Sequence, residues 1–388
     1  MSHAVLSPSS AERWIHCPPS AKINAEAPRT DTAYTKEGTL AHALCELKGR
    51  KYFLGLGPRK YAAELKKLQA DEMWQDEMED YTEDWMDALK GFDGEFDARP
   101  HVAVEQKVEF SDIVPEGFGT CDCVMVGGGL LQVIDFKYGK GVPVSAEGNP
   151  QLMLYALGAL KAYDMIYDID TVKLSIVQPR IRREPDSWEV SVDDLNAWAE
   201  DVVKPAAALA IRGEGEYREG EWCRFCAIRG SCRARAEANL ALARAEFRLP
   251  PELEDGEIGD ILREGERLES WLADLRKYAL NACLDGREIP GWKAVEGRSQ
   301  RAWTDAEAAF DAARALGVPE AMLYERKPVT LAQLEKAMGK KAFAEGLKDY
   351  VTTPPGKPTL AAEKDRRPAV TGRTTAKEDF GDYEQEEQ

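Results

Sequence analysis

The chain has 388 residues, 69 acidic and 51 basic side chains, a formal net charge of −18 and 44% hydrophobic residues. The length suits about two domains, the apolar content excludes a wholly disordered chain, and no apolar run reaches the roughly 18 residues needed to span a bilayer. The charge looks hostile to polyanions but is unevenly spread: residues 71–97 carry twelve acids against Lys90 alone, and residues 376–388 six acids against Lys377. The near-neutral remainder can still hold a local basic surface. Residues 222–236 offer one in Arg224, Arg229, Arg233 and Arg235, with no acid among them.

The opening residues, MSHAVLSPSSAERWIHC, lack a basic start followed by an apolar stretch, so a cytoplasmic protein is expected. Ser7 to Ser10 cap a short helix that ends near Cys17, Pro18 and Pro19. Residues 36–54 and 62–90 have helical apolar spacing, the second with a solvated acidic face. The period then changes from about 3.6 to 2. Residues 101–110, 119–126 and 130–138 read as strands, the last two joined by a turn at Gly127-Gly128-Gly129. A glycine-containing loop leads to a buried helix at 150–163, and a fourth strand at 171–180 is stopped by Pro179. A helix at 191–212, a cysteine cluster, a helical region at 232–284 and two amphipathic helices within 303–350 follow. Trp271, Trp292 and Trp303 read as core residues, and the chain from 361 as a disordered acidic tail. The fold class is α/β, a small mixed sheet in the order αβββαβ with helical additions at both ends.

Asp135 and Lys137 lie two apart on a strand and share a face. Asp122, between Cys121 and Cys123, sits on the neighbouring hairpin strand, with both cysteines expected on the face opposite to it. The hairpin can bring Asp122 and Asp135 together. Two close carboxylates repel unless a cation lies between them, and hard cations such as Mg²⁺ or Mn²⁺ prefer oxygen ligands. A lysine beside them can orient a water or stabilise charge on an attacked phosphate. These are the needs of metal-assisted phosphodiester hydrolysis. No G-x4-G-K-[ST] motif is present, so no ATP motor is expected in this chain.

Cys223, Cys226 and Cys232 form C-x2-C-x5-C, which needs a fourth ligand to close a zinc site or a 4Fe–4S site. Cys121 and Cys123 belong to the sheet, and Cys45 and Cys283 sit among apolar helical residues as buried thiols. Cys17 stands in a polar turn suited to a ligand.

Taken together, Gly38-x3-His42, Gly119-x2-Asp122, Asp135-x-Lys137 and Gln151-x3-Tyr155 resemble the RecB-like branch of the PD-(D/E)xK nuclease superfamily, in that family's order. Ser9-x4-Trp14-x2-Cys17-Pro18 is similar to the N-terminal cysteine motif of its iron–sulfur, AddB-type members, and the likeness covers roughly residues 7–235. The resemblance implies a restriction-endonuclease-like core at 1–235, followed by a helical region at 236–360 and a tail at 361–388. It implies His42, Asp122, Asp135 and the backbone carbonyl of Phe136 as metal ligands and Lys137 as the residue that positions water. Gln151 and Tyr155 would line the site. Glu46, one turn beyond His42, and Glu105, on the adjacent strand, are within reach as supports, with a surface acid and a structural acid as their plain alternatives. Cys17, Cys223, Cys226 and Cys232 would hold a 4Fe–4S cluster, with zinc as the alternative. Arg224, Arg229, Arg233 and Arg235 would place positive charge beside DNA.

The expected activity is an Mg²⁺- or Mn²⁺-dependent DNA exonuclease, acting on ends or single strands. The resemblance extends to phage and prophage proteins of a bacterial host. It implies work in recombination, repair or replication, with a single-strand annealing or single-strand binding protein as partner. Two other classes fit the same residues: a non-catalytic DNA-end scaffold, and a zinc-binding interaction module.

Overall fold

In the computed structural model, which describes residues 5–28, 32–243, 255–295, 305–316, 318–324, 330–339 and isolated positions up to 351, the sheet is built around a strand buried on both faces. Its strands are β1 (His101–Glu109), β2 (Phe118–Gly127), β3 (Leu130–Phe136), β4 (Thr171–Val177) and β5 (Asp186–Ser191), in that spatial order. Only β3 and β4 are parallel; the other neighbours are antiparallel. A parallel pair needs a crossover, and a helix supplies it.

In chain order the helices of the first compact unit, residues 1–292, are α1 (Ala11–His16), α2 (Ser20–Glu26), α3 (Ala33–Phe53), α4 (Pro58–Gln69), α5 (Glu77–Asp93), the crossover α6 (Pro150–Tyr163), α7 (Val192–Trp198), α8 (Lys204–Arg212), α9 (Arg233–Ala243) and α10 (Asp255–Leu284). A π-helical stretch, Ala199–Val203, joins α7 to α8 in one run, as the expected helix at 191–212 requires. The order αβββαβ is present. The helix expected over 62–90 is two, α4 and α5. Asp71 accepts a hydrogen bond from the Met73 amide at 2.9 Å, a local turn that competes with helix continuation. The unexpected β5 is a polar edge strand, alternately half-buried and exposed, with no apolar run to signal it.

The sheet divides the core in two. Val124, Val133 and Leu174 pack with α1, α6, α7 and α8 on one face. Met125, Ile134 and Phe136 pack with Leu44 of α3 and Trp85 of α5 on the other. This is a three-layer arrangement with the site-bearing strands in the middle.

One pair of residues resets the strand alternation. β1 and β2 pair in a constant register, Val104 with Cys123 and Gln106 with Cys121, but Glu105 and Asp122 between them are not a ladder pair. Glu105 has a φ of 51°, the left-handed region that non-glycine residues rarely adopt. On one side of the break Val102 and Cys123 belong to the α3–α5 core; on the other Val108 and Cys121 belong to the α6 core. Cys121 and Cys123 therefore occupy opposite faces, not the shared face that a period of two predicts.

α9 and α10 lie in the same unit and are tied to the cysteine turn. Asp274 of α10 accepts from Arg229 Nε at 2.8 Å and from Arg235 Nη1 at 2.6 Å. Trp271 is buried, as expected, but Trp292 is 70% exposed. Trp292 follows the turn at Gly291 and pairs through its backbone with Ile289, which leaves the ring outside the core. Cys45 is buried, whereas Cys283 is half-buried.

The second unit, residues 293–388, contains α11 (Ala306–Ala315), α12 (Glu320–Leu323) and α13 (Leu331–Met338), where two helices were expected. Asp305 and Thr330 cap α11 and α13. Trp303 and the tail at 361–388, including its acidic run, lie outside the described residues. No helix among the described residues is long and apolar enough to cross a membrane.

Candidate functional site

β2 and β3 part company just where the acids sit. Their last ladder pair is Cys123 with Ile134. Beyond it the Phe136 amide donates to the Asp122 carboxylate at 2.7 Å, and the Lys137 amide turns to the Val177 carbonyl at 2.9 Å. A side chain thus replaces a backbone partner, and the two strands open around Asp122 and Asp135. The other oxygen of Asp122 lies 3.0 Å from His42 Nδ1. The Phe136 ring, edge-on to His42 at 5.4 Å and packed against Trp85 at 5.5 Å, holds the imidazole from behind.

α6 closes the opposite side. Asn149 caps it by accepting from the Gln151 and Leu152 amides, with Pro150 in its first turn. Gln151 Oε1 accepts from Lys137 Nζ at 3.0 Å, while its Nε2 donates to Asp135 at 3.2 Å and to the Tyr155 hydroxyl at 3.2 Å. Lys137 Nζ is itself 2.9 Å from Asp135 Oδ2. The Tyr155 ring packs so closely on Gly119 that a Cβ there would lie 2.6 Å from it. The glycine of Gly119-x2-Asp122 is therefore needed for β2 to approach α6. A Cβ on Gly38 would meet nothing within 4 Å, so the structure gives no steric reason for that glycine.

The site holds more acid than its cations neutralise comfortably. Burial, then the nearby Asp122 charge, raises the Glu105 carboxyl from 4.5 to about 7. Burial also raises Asp135, with Lys137 opposing. Burial works against the charged forms of His42 and Lys137, but the facing carboxylates outweigh it and raise both. Lys137 is consequently a firm cation at neutral pH.

His42, Glu105 and Asp122 each offer a ligand atom, and these atoms lie within 4.8 Å of one another. An imidazole and two carboxylates, one reluctant to ionise without added positive charge, fit a hard divalent cation. Asp135 stands outside this trio, engaged with Lys137 and Gln151. Glu105, expected as a supporting acid, belongs to the trio, and its strained backbone is the feature that alternation alone could not reveal. Glu46 instead accepts from Arg50 at 3.3 Å.

Cys17, Cys223, Cys226 and Cys232 line one small pocket. Asn24 clamps it, donating to Cys226 Sγ at 3.6 Å and accepting from the Ala227 amide at 2.9 Å. Arg13 and Ser20 also line it, and Arg13 Nε and Ser20 Oγ are buried without a hydrogen-bond partner among the described residues. The four expected DNA-contacting arginines do not make one basic surface. Arg229 and the buried Arg235 are neutralised by Asp274, an acid some 40 residues downstream that the local sequence hides. Arg224 and Arg233 are exposed.

Sequence reasoning also missed the anchors of the loop between β3 and α6. Gln178 accepts from the Val144 amide and donates to the carbonyls of Gly139 and Val142. Arg182 donates to the Val144 carbonyl, and Asp186 accepts from the Ala146 amide. These polar residues fix the segment linking Lys137 to Gln151.

The raised Glu105 carboxyl makes a pH prediction. A group whose folded-state value exceeds its unfolded value stabilises the fold fully below the unfolded value, and the contribution is lost as pH rises through the folded one. In metal-free buffer Glu105→Gln should therefore gain stability relative to the parent chain between about pH 5 and pH 8, read as the difference in urea midpoints. A difference that stays flat over that range contradicts the assignment.

Comparison with known proteins gives a family match over residues 3–368, to the family described as "Protein of unknown function (DUF2800)". Solved structures give weaker likenesses. One named "Putative exonuclease", from Eubacterium rectale, is 11% identical and covers 64% of this chain and 90% of its own, with a TM-score of 0.32. LHK-Exo in complex with dAMP is 14% identical over 46% of this chain and 93% of its own, TM-score 0.24. SSO0001 is 13% identical over 58% of this chain and 96% of its own, TM-score 0.22. At these values the fold and the site rest on the chain's own geometry. The family match spans nearly the whole sequence, and the protein belongs to the DUF2800 family.

Proposed function

We propose that this chain is a divalent-metal-dependent deoxyribonuclease of the RecB-like type. The observation that carries the reading is the convergence of His42, Glu105 and Asp122 beside the Asp135–Lys137–Gln151 network, where β2 and β3 separate. His42, Glu105 and Asp122, with Asp135 and the Phe136 carbonyl as further ligands, are the residues that would hold Mg²⁺ or Mn²⁺. The ion, when bound, supplies positive charge for the scissile phosphate and the attacking water.

The chain's own residues do the rest. Lys137 stays protonated, so it donates hydrogen bonds and does not act as a base. Its ammonium orients the water and offsets charge gathering on the phosphate oxygens. Gln151 and Asp135 hold that ammonium from two sides, which limits its freedom before substrate arrives. Tyr155, anchored through Gln151, lines the α6 wall. The motif resemblance extends the reading to exonucleolytic processing of DNA ends in phage or prophage recombination, repair or replication, beside a single-strand annealing or binding protein.

The four cysteines form the second part of the proposal, a structural 4Fe–4S cluster. Arg13 and Ser20 line the pocket, and among the described residues Arg13 Nε and Ser20 Oγ are buried donors without a partner, a setting that suits the sulfur atoms of an anionic cluster. The cluster reading over zinc rests on the resemblance of Ser9-x4-Trp14-x2-Cys17-Pro18 and of Cys223, Cys226 and Cys232 to the iron–sulfur members of the RecB-like nucleases. Joining Cys17 to residues 223–232 closes a very long loop, which stabilises the fold chiefly by restricting the unfolded chain.

Two experiments test these readings separately. With end-labelled single- and double-stranded DNA and a circular control, the chain should degrade ends in Mg²⁺ or Mn²⁺. Asp135→Ala should lower the rate at least about 100-fold. Equal inertness of both proteins would favour the non-catalytic scaffold. Anaerobically purified chain should be brown and carry iron and sulfide, and Cys17→Ser should lose them. A colourless protein with one zinc per chain would instead support the zinc module.

A further inference from the structure

Among the described residues, α10 is packed on one side only. Trp271 and Ala282 are buried, Asp274 binds Arg229 and Arg235, and Gly230 sits so close that a Cβ there would lie 2.8 Å from the Asp274 carbonyl oxygen. The opposite side carries large apolar residues into solvent: Ile258, Leu262, Leu280 and Leu284, with Leu262 47% and Leu280 49% exposed. At 100° per residue, Ile258, Leu262, Leu280 and Leu284 fall on one stripe with the exposed Glu266, Glu269 and Arg276. The stripe from Ile258 to Leu284 is about 39 Å long.

The order of residues along this stripe is self-complementary about Trp271. Ile258 and Leu284 stand thirteen residues on either side of it, Leu262 and Leu280 nine, and Glu266 and Arg276 five. We propose that α10 pairs antiparallel with α10 of a second copy of this chain, across a two-fold axis near Trp271. In that arrangement Ile258 meets Leu284, Leu262 meets Leu280 and Glu266 meets Arg276, each contact occurring twice, as an isologous interface demands. Glu269 falls one turn from the same Arg276, so each arginine faces two acids of the other copy. Neither Glu266 nor Arg276 forms an ion pair with another described residue of its own chain. A parallel pairing would set Glu266 on Glu266 and Arg276 on Arg276, which like-charge repulsion disfavours. The charge order thus selects a second copy in one orientation. The interface is independent of the nuclease reading.

Sedimentation velocity of the full-length chain tests the pairing. The parent chain should dimerise at micromolar concentration. Glu266→Arg alone and Arg276→Glu alone should each weaken self-association at least about tenfold, because each sets like charges together twice. Mixed one to one, the two variants should recover the dimer, since arginines of one copy then meet glutamates of the other. That recovery also shows that both variants are folded. A parent chain that stays monomeric to about 100 μM, single variants that dimerise like the parent, or a mixture that stays monomeric would each overturn the proposal.

Discussion

Carboxylates forced together in a poorly solvated space govern the centre of this protein. Asp122 and Asp135 stand where two neighbouring strands stop pairing, and Glu105 reaches in from the next strand. Repulsion among them is relieved by His42 on one side and Lys137 on the other, and Glu105 remains under strain, its carboxyl raised to about 7. Much of the surrounding architecture serves to hold these groups at that distance. Phe136 and Trp85 brace the imidazole, Gln151 braces the ammonium, and Gln178, Arg182 and Asp186 pin the loop between them.

The three layers explain why ligands come from so many parts of the chain. His42 belongs to the helical layer on one face, Gln151 and Tyr155 to the layer on the other, and the acids to the sheet between. Strand alternation puts Phe136 in the α3–α5 core while Asp135 and Lys137 face α6. Reversal of that alternation at Glu105 accompanies the turn of Asp122 towards His42 of α3. The positive φ of Glu105 stores strain at the site, a common companion of function.

Much of this was legible in the sequence, for physical reasons that differ by element. The helix at 150–163 and the strand expected at 130–138, which ends at Phe136, carry dense apolar patterns, and their starts follow from Pro150 and from the turn at Gly127 to Gly129. The motif residues His42, Asp122, Asp135, Lys137, Gln151 and Tyr155 converge as the hairpin and the crossover require. Glu105 was under-read because a strand pattern does not announce a left-handed residue. The arginines near the cysteines were over-read because their neutralising partner, Asp274, is distant in sequence. β5 was missed because a polar edge strand carries little hydrophobic signal.

The central claim is that the crowded acids exist to hold a divalent cation. Mn²⁺ titrated into metal-free chain, with the free ion followed by its electron paramagnetic resonance signal, reads this without reference to activity. The account predicts binding by the parent chain and a loss of affinity of at least about tenfold in Asp122→Asn. Equal Mn²⁺ uptake by both proteins, or none by the parent chain, would contradict it.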